Sequence, residues 1–307
     1  MSTIPHRHAA QVLSLLALCF AAAPTRAFEL AQDASNLTFS AGGHPVLTYR
    51  HAGYPFKPYV AQLCTPAGVA VLRDSPSDHK HHHGLMFAVE AGGVDFWGEF
   101  PGRACGQQRQ QKLESSATGL TQTLDWAGTN GVVRMREQRT LRLHAEPGLP
   151  ATLLTWRTDL ETAPGHTPLA LGGHHYYGLG ARFVTSLDKV ATFQNATGAP
   201  GEVVRGDERL TATRWCAVSG PVEGKTITCA LFDHPANPRH PNRMFTMAQP
   251  FAYLSATLNL WKESFSLKSG QPLRLCYGIA LFDGAPPAAE IEKLYQRWLA
   301  GCGAPTP

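Results

Sequence analysis

Residues 73–99 gather more potential chemistry than any other part of this 307-residue chain. Arg73-Asp-Ser-Pro-Ser-Asp78 leads into His79-Lys-His81-His82-His83-Gly84, and Asp95-Phe-Trp97-Gly-Glu99 follows an apolar run. Imidazole passes readily between acid and base near neutral pH and is the commonest metal ligand. Four imidazoles in five positions therefore suggest general acid/base catalysis, hydrogen bonding to a carbohydrate, or metal ligation. For the last, Asp78, His79, His81 and His82 would be the ligands, since two or three imidazoles and a carboxylate suffice for zinc, copper or iron. Adjacent residues seldom reach one ion together, and a polar turn with locally bonded imidazoles is the plain alternative. In an extended segment His79, His81 and His83 would share one face and His82 the other; a turn would sort them differently.

Two further constellations could complete such a site. In Leu171-Gly-Gly-His174-His175-Tyr-Tyr177-Gly-Leu-Gly-Ala-Arg182-Phe183, glycines flank polar aromatic groups and allow close backbone approach. Tyr and Trp commonly wall sugar sites, because one end of each is apolar and the other can hydrogen-bond. In Trp261-Lys-Glu263-Ser-Phe265 a carboxylate stands beside a Trp just before a strand-like run, where an apolar wall could raise its pKa toward that of a useful base. A solvated Glu263 paired with Lys262 or Lys268 is equally ordinary. Asp233-His-Pro-Ala-Asn-Pro-Arg-His-Pro-Asn242 reads as a proline-locked loop, either a substrate rim or a rigid connector. Asn36 and Asn195 match the glycosylation acceptor pattern, which recurs often by chance. No nucleophile elbow, phosphate loop or dinucleotide fingerprint is present, which removes the main support for serine hydrolase, kinase and Rossmann readings.

The elements that must position these groups read as β-strands. Short runs over 39–49, 69–73, 85–89, 132–143, 152–160, 251–260 and 273–281 are separated by Gly, Pro, Asn and Asp, and several alternate with the two-residue period of a half-buried strand. The pattern predicts an all-β fold, a large antiparallel β-sandwich. One amphipathic helix closes the chain: after Pro286-Pro287, Ile291, Leu294, Tyr295, Trp298 and Leu299 form an apolar stripe over 288–300, ended by Gly301. With no repeat or linker visible, residues 28–307 read as a single domain.

The first 27 residues have the form of a secretory signal, with Arg7, an apolar run over 9–23 and a Thr25-Arg-Ala27 exit. The mature protein is thus expected to be periplasmic or secreted, with no membrane span, because no segment reaches the roughly 20 apolar residues that one needs. Of 27 basic and 23 acidic residues, Arg7 and Arg26 leave with the signal, so 25 against 23 gives a mature net charge of +2. That balance, with no basic run, argues against nucleic acid as a partner. The six remaining cysteines, Cys64, Cys105, Cys216, Cys229, Cys276 and Cys302, allow one to three disulfides in an oxidising compartment, with buried free thiols the alternative for Cys229 and Cys276.

Taken together, Arg73-Asp-x-Pro-x-Asp-His-x-His-His82 with Gly84, Asp95-Phe-Trp-Gly98, Tyr177-Gly-Leu-Gly-x-Arg-Phe183, the 232–241 loop and Trp261-Lys-Glu-Ser-Phe265 closely resemble the bacterial family labelled "methane oxygenase PmoA". His83 stands where that family's His-His-Arg-Gly carries arginine, which makes it the incidental member of the cluster. The label would imply an oxygenase-like or metal-bearing protein, but the membrane subunit of that name is a bundle of spanning helices, which this chain cannot form. A looser resemblance is to galactose mutarotase-like supersandwiches, through His174-His175-Tyr-Tyr and through Leu267-Lys-Ser-Gly270 after Glu263. It implies a sugar site with a histidine acid and a late glutamate base.

The expectation is therefore an exported carbohydrate-active enzyme, an epimerase, lyase or hydrolase, acting on a small-molecule sugar or modified glycoside. His79, His81, His82, His175 and Glu263 would carry the acid/base work. Arg73, Asp78, Trp97, His174, Tyr177, Arg182 and Trp261 would bind substrate. No cofactor is expected, apart from a divalent metal at Asp78, His79, His81 and His82 under the rival reading of a His-rich metalloprotein. A non-catalytic sugar-binding module is the third reading.

Overall fold

A computed structural model describes residues 26–100 and 103–302; the signal expected at residues 1–27 lies almost wholly outside them. Two large antiparallel sheets face each other. One has ten strands, in the spatial order Glu29–Gln32, Asn36–Ala41, His44–Arg50, Tyr59–Leu63, Leu85–Ala88, Gly178–Arg182, Tyr253–Thr257, Arg243–Met247, Arg209–Ala212 and Glu202–Val203. The other has eight, in the order Thr192–Asn195, Trp215–Val222, Lys225–Asp233, Leu273–Asp283, Ala151–Thr162, Val133–Leu143, Gly119–Ala127 and Gln107–Ser116. Four short strands, Phe265–Leu267, Leu169–Gly172, Glu90–Ala91 and Val94–Asp95, form a small third sheet. The all-β antiparallel class with one C-terminal helix is thus as the sequence predicts.

Alternation explains why the large sheets pack. Along Val133–Leu143 every second residue from Met135 to Leu143 is buried, and the residues between are exposed or half-buried. Two charged residues share that inner face. Glu137 receives both Nε and Nη2 of Arg139 at 2.8 Å, along with Trp126 Nε1 at 2.9 Å and Thr158 Oγ1 at 3.0 Å. Arg139 spends its remaining donors on Pro58 O and Gln108 Oε1, both at 2.9 Å, and on the Tyr49 hydroxyl. A buried ion pair costs heavily in desolvation and is tolerable only when so fully bonded.

The helix Ala288–Cys302 covers the outer face of the eight-stranded sheet, where Ile291, Leu294, Tyr295 and Trp298 bury against Leu153, Trp215, Phe232 and Phe282. Leu299, the fifth member of the predicted stripe, is only partly buried. Among the described residues no helix is long and apolar enough to cross a membrane. Two strand predictions need correction. The run 39–49 is a hairpin, because Gly42 and Gly43 take φ of +59° and +79°, which turn the chain between Asn36–Ala41 and His44–Arg50. Residues 69–73 form no strand and contribute only single bridges at Ala70 and Leu72. The six cysteines of the described residues are free thiols in this structure, and Cys229 and Cys276 lie buried within strands.

Candidate active site

The first histidine cluster lies on a turn, and the turn decides which imidazoles meet. Backbone bonds from His79 N to Pro76 O and from His82 N to His79 O coil the segment, and Ser75 N and its hydroxyl close it onto His82 O and Lys80 O. His79, His81 and His82 consequently face one cavity of about 600 Å³ over the ten-stranded sheet. Their rings pack on one another: His79 stacks on His82 at 4.7 Å, and His81 meets His82 edge-on at 4.5 Å. Among the described residues no group of three or more His, Cys, Asp or Glu is placed to hold a metal ion.

His83 points the other way and is fully buried. Its Nδ1 is 2.7 Å from Asp74 and its Nε2 3.1 Å from Glu99, which also binds the buried Lys57 and the Tyr54 hydroxyl. Burial pushes Glu99 up, but His83 and Lys57 outweigh it and hold its carboxyl below the usual range. Far from incidental, His83 is the pillar under the turn that carries its neighbours.

Strand pairing builds the cavity floor. Arg182 pairs with Tyr253, and Phe245 with Ser255, so Arg182, Tyr253 and Phe245 share one face. Gly180 lies on that face too: a Cβ there would come within 1.9 Å of Tyr253 Oη and 3.1 Å of Trp97 Cη2. The bare backbone is what lets the tyrosine ring fold down beside the indole. Arg182 is 1 % exposed, stacks its guanidinium 3.5 Å above the Phe251 ring, and reaches Asp78 Oδ2 at 3.4 Å and His82 Nδ1 at 3.5 Å. Burial lowers its pKa despite Asp78.

The far side of the cavity comes from Tyr176 and the turn Arg205-Gly-Asp-Glu208. Glu208, almost buried, binds Arg205 at 2.6 Å and accepts or shares a proton with His175 Nε2 at 3.1 Å. Asp207 takes the backbone amides of Ala248 and Gln249, each at 2.7 Å, and so ties this turn to the loop before Phe251. His175 also lies against Tyr176, Phe245 and Trp261.

Electrostatics keep these imidazoles neutral. Burial, then the neighbouring His81, His79 and Arg182, pushes His82 down to about 2. Burial together with Lys57 and His79 takes His81 to about 4. Burial also lowers His175, with Glu208 opposing it. All three can accept a proton or donate one N–H at neutral pH.

Of the residues expected in the site, Asp78, His79, His81 and His82 line the cavity together; Arg182, bonded to Asp78 and His82, and His175, packed on the lining residues Tyr176 and Phe245, lie behind the lining. Trp97 and Tyr177 are buried and stacked on each other at 4.9 Å, fixed by Asp95, whose Oδ1 accepts Trp97 N, Gly98 N and the Tyr177 hydroxyl. They back the cavity, and the aromatic groups facing it are Tyr176, Phe245, Phe251 and Tyr253. His174 is exposed and stacked on Tyr176. Arg73 pairs with Asp188 at 3.7 Å outside the lining. Glu263 is not brought to the cluster: its side chain is 73 % exposed, and its carboxylate lies 3.6 Å from Arg239, which also binds the Glu263 and Ser264 carbonyls. The exposed Trp261 beside it reaches the site only through His175. Arg205, Asp207, Glu208, Phe245, Phe251 and Tyr253 are among the lining residues that sequence reading missed.

Among solved structures, the chain is similar to a candidate aldose 1-epimerase of Escherichia coli K12, at 11% identity and a TM-score of 0.43 over 83% of this chain and 99% of that one. It is similar to a candidate mutarotase of Salmonella typhimurium, at 10% identity and 0.36 over 85% and 97%, and to a protein of Synechocystis sp. PCC 6803, at 10% and 0.40 over 88% and 100%. No curated protein matches it. One family's sequence description covers residues 36–296 and carries a different label from "methane oxygenase PmoA": the chain belongs to the Family of unknown function (DUF6807).

Proposed function

We propose that this protein is a carbohydrate-active enzyme that moves a proton at a sugar carbon or glycosidic oxygen. The observation that carries the reading is the cavity itself: about 600 Å³, sized for one or two sugar rings, with aromatic faces set between imidazoles, carboxylates and the Arg205 guanidinium. His175, kept neutral by burial and oriented by Glu208, is the base. Neutral His81 and His82, with one N–H each, serve the oxygen that gains charge, and Asp78 and His79 complete the rim. This assignment gives the Glu208-supported His175 the role that the sequence suggested for Glu263. Epimerisation, elimination and hydrolysis all begin with such a step. The signal-like first 27 residues support export, which places the substrate outside the cytoplasm.

The test is incubation of the purified protein with aldoses, uronic acids and glycosides in D2O, followed by NMR. Conversion or deuterium uptake at a sugar carbon that falls roughly 100-fold or more in His175→Gln is the expected result. Binding without any conversion would make the protein a sugar-binding module instead, and binding of no sugar would end the carbohydrate reading.

A further inference from the structure

Cys276 and Cys302 meet where the C-terminal helix ends on the eight-stranded sheet. Along that sheet's strand Leu273–Asp283, Leu273, Leu275, Tyr277, Ile279 and Leu281 face the core between the sheets, while Cys276, Ala280 and Phe282 face the helix. Gly278 shares that outer face and lies under the Trp298 indole, since a Cβ there would come within 2.8 Å of its Cε2. Cys276 is two residues from Gly278 on the strand, and Cys302 is four from Trp298 on the helix. These steps span about 6.6 Å and about 6 Å, so one cysteine falls opposite the other as the glycine falls opposite the indole. Two neighbours of Cys276 fix the direction of both steps. Arg157, its register partner, donates Nη2 to the Cys302 carbonyl. His234, whose backbone N donates to Cys276 O at 3.3 Å, sets its ring 5.7 Å from that of Trp298. The Cys302 thiol is hydrogen-bonded to both Cys276 and His234.

The two thiols are unequal. Cys276 is fully buried, and Cys302 is partly exposed. Cys276 first, and then His234 and Arg157, hold the Cys302 thiol below its ordinary range against the effect of burial, while Cys302 and burial push Cys276 up. Ala236 N donates to His234 Nδ1 at 3.1 Å, so the ring proton is on Nε2, the nitrogen left to donate to the Cys302 sulfur. A reachable thiol with thiolate character beside a sheltered one is what thiol–disulfide exchange requires. Cys216 and Cys229, two places out of register on adjacent strands, are both buried in the core between the sheets, where an external disulfide cannot reach them.

We propose that Cys276 and Cys302 close a disulfide that clasps the C-terminal helix to the sheet in an oxidising compartment, the setting that the signal-like first 27 residues imply. The oxidant is an external disulfide, either a small molecule or one carried by an exchange protein. The Cys302 thiolate attacks one of its sulfurs and displaces the other as a thiolate. Cys276 then gives up its proton and attacks the Cys302 sulfur, and the second external thiolate leaves. Two protein thiols lose two electrons and two protons, and the external disulfide becomes two thiols.

The test is incubation of the purified full chain with reduced or oxidised glutathione, alkylation of the remaining thiols, and peptide mapping by mass spectrometry without reduction. With oxidised glutathione the expected product is a linked Cys276–Cys302 peptide pair, with Cys64, Cys105, Cys216 and Cys229 still alkylated. The linked protein should melt roughly 5–10 °C above the reduced one, and Cys302→Ser should abolish that difference. In Cys276→Ala, Cys302 should take up one glutathione and no protein partner, which identifies it as the attacking thiol. Six alkylated cysteines in excess oxidised glutathione, or a link that joins either residue to a different cysteine, would overturn the pairing. Equal melting of the linked and reduced proteins would overturn the clasp.

Discussion

Gly180→Ala probes the packing that shapes the cavity floor. Gly180 has an extended backbone that alanine can adopt, so the substitution adds one methyl group without backbone strain. That methyl would arrive 1.9 Å from Tyr253 Oη, 2.7 Å from its Cζ and 3.1 Å from Trp97 Cη2, so the tyrosine hydroxyl must retreat by roughly 1 Å. Trp97 is locked by its stack on Tyr177 and cannot yield, whereas Tyr253 has open cavity on one side. The ring therefore swings into the cavity, and the cost is at the lower end of overpacking, about 1–2 kcal/mol. For a chain of this size that lowers Tm by roughly 2–6 °C. Ligand binding should suffer more than stability, because the displaced ring occupies the space a sugar would fill. Tyr253→Phe removes the atom in closest conflict, so the double variant should recover part of the lost stability. The assay is equilibrium urea unfolding of the four proteins in a double-mutant cycle, alongside sugar binding. Strict additivity, or a Gly180→Ala protein as stable and as competent in binding as the parent, would refute the account of why this strand is bare.

Three other outcomes follow from the same geometry. His82 titrates near 2 when folded and 6.5 when exposed; its folded value is the lower, so below pH 6.5 the unfolded chain binds the extra proton. Stability should fall as pH drops from 6.5 toward 2, by at most about 1.4 kcal/mol per pH unit from this group, and His82→Gln should flatten urea midpoints measured at pH 7, 6 and 5; an unchanged slope assigns the effect elsewhere. Glu208→Gln removes the group that opposes burial at His175, so the acid limb of the pH–rate profile should move to lower pH as turnover drops roughly 10- to 100-fold. An unmoved limb would dissociate His175 from the chemistry. Glu137→Ala strands the buried Arg139 charge and should cost about 3–5 kcal/mol in equilibrium unfolding, with much of it recovered in Glu137→Leu/Arg139→Met; a loss below about 1 kcal/mol would mean the guanidinium finds water.

Burial explains what could be read from sequence and what could not. Val133–Leu143 and Ala151–Thr162 each present an apolar face to the other sheet, and the C-terminal helix buries one stripe, so periodicity found them. Gln107–Ser116 is the edge of its sheet and mostly exposed, so its run of Gln, Arg and Lys carries no such signal. The hairpin at Gly42-Gly43 was hidden because both of its strands are β-type and only two glycines part them.

The site divides along the same line. Residue type alone marked His79, His81 and His82, but their common face depends on the bonds that coil residues 75–82, and His83 owes its burial to Asp74 and Glu99, neither of which local spacing selects. Glu208, in Arg205-Gly-Asp-Glu-Arg209, has the sequence of a solvated turn, whereas Glu263 beside Trp261 looks like a sheltered base; the structure reverses their exposures. The reversal comes from sheet order. Placing Arg243–Met247 between Tyr253–Thr257 and Arg209–Ala212 carries the 205–208 turn up to Tyr176 and His175, while Arg239, braced on the Leu258 carbonyl, holds the 263–264 backbone on the outside. A carboxylate's neighbours in the chain thus say little about its solvation here, because the strands that bury or expose it are joined to it only through the sheet.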